Sequence, residues 1–379
     1  MTPSMLNKLV PYGLQLEITS DCNLRCTYCA VSQPSYEGLE IGIDRASELV
    51  QKIVRQGIKH VQISGHGETT TVDYWTELAN QLIDSNIEIS MISNMSRPLE
   101  DVEVEAFSNF NFIETSIDHC DKTINKNIRR KVDVRNQYEN LLKIKAHSIK
   151  RGKPIPRLGF SIVVYDQNVS GLLDLVSMGV SLGVTHFRFC PLFKHPDIDG
   201  IDNVYPITSL TGSKLVEAKK SIDKTIAFLK RTGVDYLFMD GTLEALKRIT
   251  SNRDVESEVP DRLEKVHVLP NQGETRNCLD PWSFSLLHSN GNASICCFAP
   301  PIGNWHMMDF IDIFQSEPAN RYREGLLSGN MPEACRTCFD RPLIPIEELH
   351  LRVNEFMSQD REFDDIAIHA RVNEIVKLR

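Results

Sequence analysis

The sequence predicts an α/β fold of parallel strands joined by crossover helices, followed by a small cysteine-rich domain. Three observations carry this expectation. Short β-rich runs alternate with stretches of helical periodicity through the first half of the chain. Cys22, Cys26 and Cys29 cluster near the N-terminus, and Cys278, Cys296, Cys335 and Cys338 gather near the C-terminus. The 379 residues suffice for one large domain plus a small one.

The first β-rich run, residues 14–20, leads directly into the first cysteine group. Residues 43–56 then read as a helix, with apolar Leu49, Val50, Ile53 and Val54, Asp44 in the first turn and Gly57 as its stop. Strands are expected at 60–65, 87–94, 112–118, 158–165 and 185–191, and helices at 74–84, 137–149, 169–182 and 213–232. The charged, proline-bearing stretch 251–272 has little periodicity and reads as a linker. The expected layout is a lead-in over 1–12, a barrel with its following helix over 13–250 and a linker over 251–274. A cysteine-rich domain follows over 275–342, then a charged helical tail over 343–379 that caps the barrel.

Composition narrows the classes. A 41% hydrophobic and 25% charged chain is ordinary for a globular protein. The net charge, 42 − 51 = −9, argues against a nucleic-acid partner. The sequence has neither an export-type apolar segment nor a run of 18 apolar residues, so a cytoplasmic protein without membrane insertion is expected. Ten cysteines in such a chain suggest metal ligation rather than disulfides.

The first group has the spacing C-x3-C-x2-C, with Tyr28 directly before Cys29. Three thiolates hold three corners of a 4Fe–4S cluster and leave one iron open to a ligand. A structural zinc knuckle is the competing reading, but zinc sites favour four ligands and no fourth lies nearby. The motif resembles the radical S-adenosylmethionine (SAM) family. The resemblance implies an open, partial (β/α)6 barrel whose free iron chelates SAM. It also implies that reductive SAM cleavage to a 5′-deoxyadenosyl radical starts the chemistry, with a reductant such as flavodoxin or ferredoxin. Every further candidate in the first half falls at a strand's C-terminal end or just after it, where such barrels carry their chemistry.

Ser64-Gly65-His66-Gly67-Glu68 is similar to the family's Gly-Gly-Glu motif, which implies that Gly65, Gly67 and Glu68 hold the SAM amino group. His66 in place of a small residue and Thr69 in place of proline are departures. Ser93 and Asn94 end the third strand and Ser116-Ile117-Asp118 the fourth. The resemblance assigns Ser116 and Asp118 to the ribose hydroxyls, against an ordinary polar turn. Arg188, in the sixth strand, is expected to meet the SAM carboxylate or to form an internal ion pair.

In the second group, an Asn- and Gly-rich turn reads as a hairpin that delivers Cys278 and Cys296, with the C-x2-C pair Cys335 and Cys338 arriving later. Four thiolates would saturate a second 4Fe–4S cluster. A zinc ribbon is the alternative, and Cys297 competes with Cys296 as a ligand. The arrangement resembles Twitch, the shortened form of the SPASM domain, with the spacing of 2-deoxy-scyllo-inosamine dehydrogenase, an antibiotic-pathway enzyme.

A saturated cluster can take an electron from a substrate radical, so the expected outcome is dehydrogenation of a small polar metabolite such as an aminocyclitol, sugar or nucleoside. This choice rests on the cluster motif beginning at Cys22, which leaves no space for a peptide-leader domain. Alternatives are epimerisation with hydrogen returned by Cys190 or Cys120, and modification of a peptide. A non-catalytic electron carrier and a zinc-ribbon nucleic-acid modifier are further readings.

Overall fold

The computed structural model describes residues 9–192, 205–239, 269–338 and 341–358. The first half supplies strands β1 (Gly13–Leu16), β2 (Arg25–Cys26), β3 (His60–Ile63), β4 (Glu88–Ser93) and β5 (Phe112–Ser116). β6 (Arg129–Arg130), β7 (Arg157–Val164), β8 (His186–Pro191) and β9 (Asp235–Phe238) follow. Between them lie helices α1 (Ile43–Arg55), α2 (Trp75–Asp84), α3 (Asp101–Phe107), α4 (Lys122–Ile128), α5 (Val134–Lys150), α6 (Leu172–Leu182) and α7 (Gly212–Thr232). The five expected helices are α1, α2, α5, α6 and α7. Gly57 takes φ +71°, the left-handed conformation that ends α1 where the sequence placed its stop.

β1, β3, β4, β5, β7, β8 and β9 pair in that order, all parallel, as crossover helices require. β9 is a seventh parallel strand, one more than expected. On the other edge, β1 pairs in parallel with β11 (Phe284–Leu287) of the C-terminal region. β11 continues antiparallel through β12 (Asn292–Ser294) to β13 (Gly303–Asn304). The described residues therefore share one ten-stranded sheet spanning both halves of the chain.

The sheet's two faces differ in kind. Side chains alternate along a strand, so Phe160 and Ile162 of β7 and Phe187 and Phe189 of β8 all turn into the helical layer, fully buried. The Phe160 and Phe187 rings meet edge-on at 5.8 Å. Gly179 of α6 lets that helix press onto them, since a Cβ there would stand 2.8 Å from both rings. The opposite face carries polar groups, Gln15, Gln62, Ser90, Glu114, Ser161, Arg188 and Cys190, interspersed with Ile92, Phe112 and Val163. An apolar outer face and an inner one that carries polar groups suit a barrel with a lumen.

β10 (Glu274–Arg276) and β14 (Leu343–Pro345) form an antiparallel pair beside short helices α8 (Asp280–Ser283), α9 (Phe310–Gln315), α10 (Glu317–Ser328) and α11 (Glu333–Arg336). A second core gathers Trp282, Phe314 and Leu326. α12 (Ile346–Ser358) adds Leu349, Val353 and Phe356 to that core, so the start of the expected tail packs on the C-terminal region instead of capping the barrel. Of the expected linker 251–274, only residues 269–274 are described, and residues 359–379 of the tail lie outside the described residues. Among the described residues no helix is long and apolar enough to cross a membrane.

The β7–β8–α6 interface buries Phe160, Ile162, Phe187 and Phe189 completely. Phe187→Ala should cost about 3–5 kcal/mol, read as a lower denaturant midpoint in chemical unfolding. A loss under about 1 kcal/mol would mean that this face is loosely packed.

Candidate functional site: two cysteine constellations

The loop after β1 carries Cys22, Cys26 and Cys29, held from several sides. Cys26 sits in β2, which pairs with β6 so that Cys26 lies opposite Arg129, and Thr27 N–H donates to the Ile128 carbonyl at 2.9 Å. Asp21 Oδ1 accepts from Cys22 N–H at 2.9 Å, and Cys29 N–H donates to the Cys26 carbonyl at 3.1 Å. Leu24 N–H points at Cys22 Sγ at 3.4 Å, a donor placed to favour a thiolate. Burial pushes the Cys22 thiol up to about 11 and the Cys26 thiol up to about 12, and raises Cys29 as well. Cys22, Cys26 and Cys29 are free thiols. Three sheltered thiols, mutually close and without disulfide partners, are the donor set that a cationic iron–sulfur cluster converts to thiolates.

The loop after β3 locks onto this cysteine loop. A Cβ on Gly67 would stand 2.2 Å from the Asp21 carbonyl and 2.6 Å from that of Thr19, so only glycine fits. Glu68 N–H donates to the same Asp21 carbonyl at 2.8 Å. Buried Glu68 accepts on Oε1 from Thr70 Oγ1 at 2.8 Å and Ser93 Oγ at 2.7 Å, and on Oε2 from Asn94 N–H at 2.7 Å. Asn94 Nδ2 donates to Asn23 Oδ1 at 2.9 Å and lies 3.9 Å from Cys22 Sγ. Gly67, Glu68, Ser93 and Asn94 thus converge on Cys22 as one hydrogen-bonded unit.

The other candidates have partners of their own. The space on the Cβ side of Gly65 is filled by Glu17, whose Oε2 would lie 2.2 Å from an added Cβ. Asp118 is fully buried and both of its oxygens are taken. Oδ2 accepts from Tyr28 Oη at 2.7 Å and lies 2.8 Å from Arg129 Nε, while Oδ1 accepts from Val163 N–H at 2.9 Å and Arg129 Nη2 at 3.2 Å. A carboxylate engaged in this way braces Tyr28 and the β6 arginine. Arg188 donates to Glu114 Oε2 at 2.7 Å across the lumen face, the internal ion pair of the two readings. Ser116 ends β5 on the same face, in register with Ser161.

The two candidate hydrogen donors separate. Cys190 Sγ lies 4.0 Å from Ser161 Oγ on the inner face. Cys120 sits against the apolar core, its carbonyl accepting from Tyr138 Oη of α5 at 3.4 Å, and burial raises its thiol. Cys120 thus lies beside α5, apart from Cys190.

In the second constellation Cys278, Cys296, Cys297, Cys335 and Cys338 line one pocket with Arg276, Asp280 and Arg341. Burial pushes the Cys335 thiol up to about 12 and raises Cys278 and Cys296 as well, while Cys297 is exposed. Arg276 holds the C-x2-C loop in place: Nε donates to the Cys335 carbonyl at 3.1 Å, Nη2 to that of Arg336 at 2.9 Å and Nη1 to that of Arg341 at 3.0 Å. Sequence reasoning missed Arg276, whose only signal was a charge two residues before a candidate ligand. The donor set fits a second thiolate-bound cluster.

Comparison with known proteins matches residues 16–178 to the radical SAM superfamily and residues 278–339 to SPASM, an iron–sulfur cluster-binding domain. The mycofactocin maturase MftC of Mycolicibacterium smegmatis is 23% identical over 176 residues, 46% of this chain and 43% of that protein, so this chain matches less than half the length of that relative. The PqqA peptide cyclase of a Methylobacterium species (strain 4-46) is 21% identical over 339 residues, 86% of this chain and 78% of that protein. Streptococcus suis SuiB, solved with its precursor peptide SuiA, superposes with a TM-score of 0.58 at 14% identity, covering 83% of this chain and 67% of SuiB. That likeness is one of fold. With the radical SAM domain come SAM and a 4Fe–4S cluster, and with the SPASM domain auxiliary iron–sulfur ligation.

Locking of the two loops at Gly67 has a measurable consequence. Gly67→Ala must force backbones apart at a cost of about 1–3 kcal/mol. SAM affinity of the reconstituted protein, measured by calorimetry, should fall at least about tenfold. Unchanged affinity would show that the loops adjust independently.

Proposed function

We propose that this chain, which carries a radical SAM domain and a SPASM domain, is a radical SAM enzyme that oxidatively modifies a peptide. The observation that carries the substrate class is the match to PqqA peptide cyclase along 86% of the chain. The precursor peptide bound to SuiB points the same way. A small polar metabolite, expected from the sequence, is the less supported substrate, and the likeness to 2-deoxy-scyllo-inosamine dehydrogenase does not carry the assignment.

When bound, SAM and the two clusters supply a hydrogen-abstracting radical and an acceptor for the electron that the substrate then loses. The chain's own residues have separate tasks. Cys22, Cys26 and Cys29 hold the SAM-binding cluster, while Gly67, Glu68, Ser93 and Asn94 shape the ground beside its open iron. Cys278, Cys296, Cys335 and Cys338 hold the auxiliary cluster, with Cys296 preferred over Cys297 because it sits deeper in the pocket. The Glu114–Arg188 pair keeps a charged, hydrogen-bonding lumen facing the substrate. A flavodoxin or ferredoxin as reductant and a cytoplasmic setting complete the reading.

One observation favours a second outcome, epimerisation. Cys190 shares the lumen face with Ser161 and Arg188, where a thiol can return hydrogen to a substrate. Product mass separates the two. Reduced enzyme with SAM and a short-peptide library should yield a peptide lighter by two hydrogens, whereas epimerisation leaves mass unchanged and fails in Cys190→Ala. The Cys335→Ala/Cys338→Ala variant should still bind SAM and form 5′-deoxyadenosine yet give no oxidised peptide. Turnover of aminocyclitols, sugars or nucleosides, with every peptide inert, would contradict the peptide reading.

A further inference from the structure

Glu17, His66 and His288 take no part in either cysteine site, yet they meet. Glu17 follows β1, His66 lies in the loop after β3 directly before Gly67, and His288 opens the turn after β11. Their potential ligand atoms, one per residue, all lie within 4.8 Å of one another. Three elements from both halves of the chain bring two imidazoles and a carboxylate to one point.

The geometry suits a metal. Glu17 is 4% exposed, and a carboxylate so buried needs fixed partners. His66 N–H donates to Oε2 at 2.7 Å, while Ser289 N–H and Oγ donate to Oε1 at 3.1 and 2.8 Å. Those three donors orient the carboxylate from outside, as supporting groups do around metal ligands. The remaining contacts are His66 Nδ1, 3.0 Å from Oε2, and His288 Nδ1, 4.0 Å from Oε1. Burial pushes the Glu17 carboxyl up, but the His66 and Ser289 hydrogen bonds outweigh it and hold it at about 2, so it is ionised as a ligand must be. Burial also lowers His288, which favours the neutral imidazole that binds metals. The His66 side chain is 59% exposed and that of His288 20%, so the ligands open to solvent on one side. A bare Glu17–His66 ion pair accounts for two of these residues. It gives no reason for a second histidine, from the C-terminal hairpin, at the same carboxylate.

We propose that Glu17, His66 and His288 form a two-histidine, one-carboxylate site for a divalent ion of the zinc type, tying the SAM-side loop to the SPASM hairpin. Ligands of this kind bind zinc with nitrogen and oxygen distances of about 2.0–2.2 Å, and water completes the coordination on the open side. In the metal-free state a proton between His66 Nδ1 and Glu17 Oε2 stands in for the ion. The site is independent of the substrate reading.

The test uses the cluster-loaded enzyme, depleted of loosely bound metal and titrated anaerobically with Zn2+ in a calorimeter. A Cys297→Ser background removes the exposed thiol as a competing ligand. One saturable equivalent is expected, weakened at least about tenfold by His66→Gln and by His288→Gln, with iron content unchanged. Equal binding in both variants and the parent overturns the site. Should a variant lose iron or unfold, Zn2+ protection of His66 and His288 from diethyl pyrocarbonate in the parent decides the matter. Protection of both histidines supports the site, and modification of both at saturating Zn2+ refutes it.

Discussion

The contact between Gly67 and the backbone of Thr19 and Asp21 is the constraint on which the rest of the site depends. Two loops following adjacent parallel strands, β1 and β3, run so close that a single methyl group has no space. Without that contact the cysteine loop and the Glu68 loop would each be an ordinary turn. With it, the carboxylate of Glu68 is fixed near Cys22, and Ser93 and Asn94 of the next strand are pinned to the same carboxylate. Three parallel strands thereby deliver a three-thiol donor set and its surroundings as one rigid piece, the pre-organisation a reactive open iron requires.

The far side of the cysteine loop is fixed by charge. Arg129 and Asp118 are both buried, and each would be costly alone. Together with Tyr28 they tie β6, β7 and the residue before Cys29 into one network. The SPASM end is attached by backbone pairing instead, since β11 extends the barrel sheet beyond β1. Cys278 and Cys296, which flank the β11–β12 hairpin and would hold an auxiliary cluster, are thereby positioned relative to the barrel sheet.

Local signals in the sequence were legible, and long-range pairings were not. The α1 stop at Gly57, the helical periodicity of α5 and α7 and the two cysteine spacings all depend on near neighbours in the chain. β9 is short and opens with exposed Asp235, so no strand pattern announced it, and α3 and α4 were too short for periodicity to show. Glu114, an ion-pair partner of Arg188, is distant in sequence and becomes visible only in three dimensions. Partners of Gly65 and Asp118, Glu17 beside one and Tyr28 and Val163 around the other, are likewise distant in sequence. His66 stood out only as a departure from a motif. Its meaning needed Glu17 and His288 alongside.

The most direct test of the central claim, an open cluster built on the Cys22–Cys26–Cys29 loop, is iron and sulfide analysis paired with SAM cleavage. Anaerobically reconstituted protein should hold about eight iron and eight sulfide per chain, as two 4Fe–4S sites require. Changing Cys22, Cys26 and Cys29 together to alanine should leave about half of that content and abolish reductive SAM cleavage. Cleavage that survives in the triple variant would contradict the account.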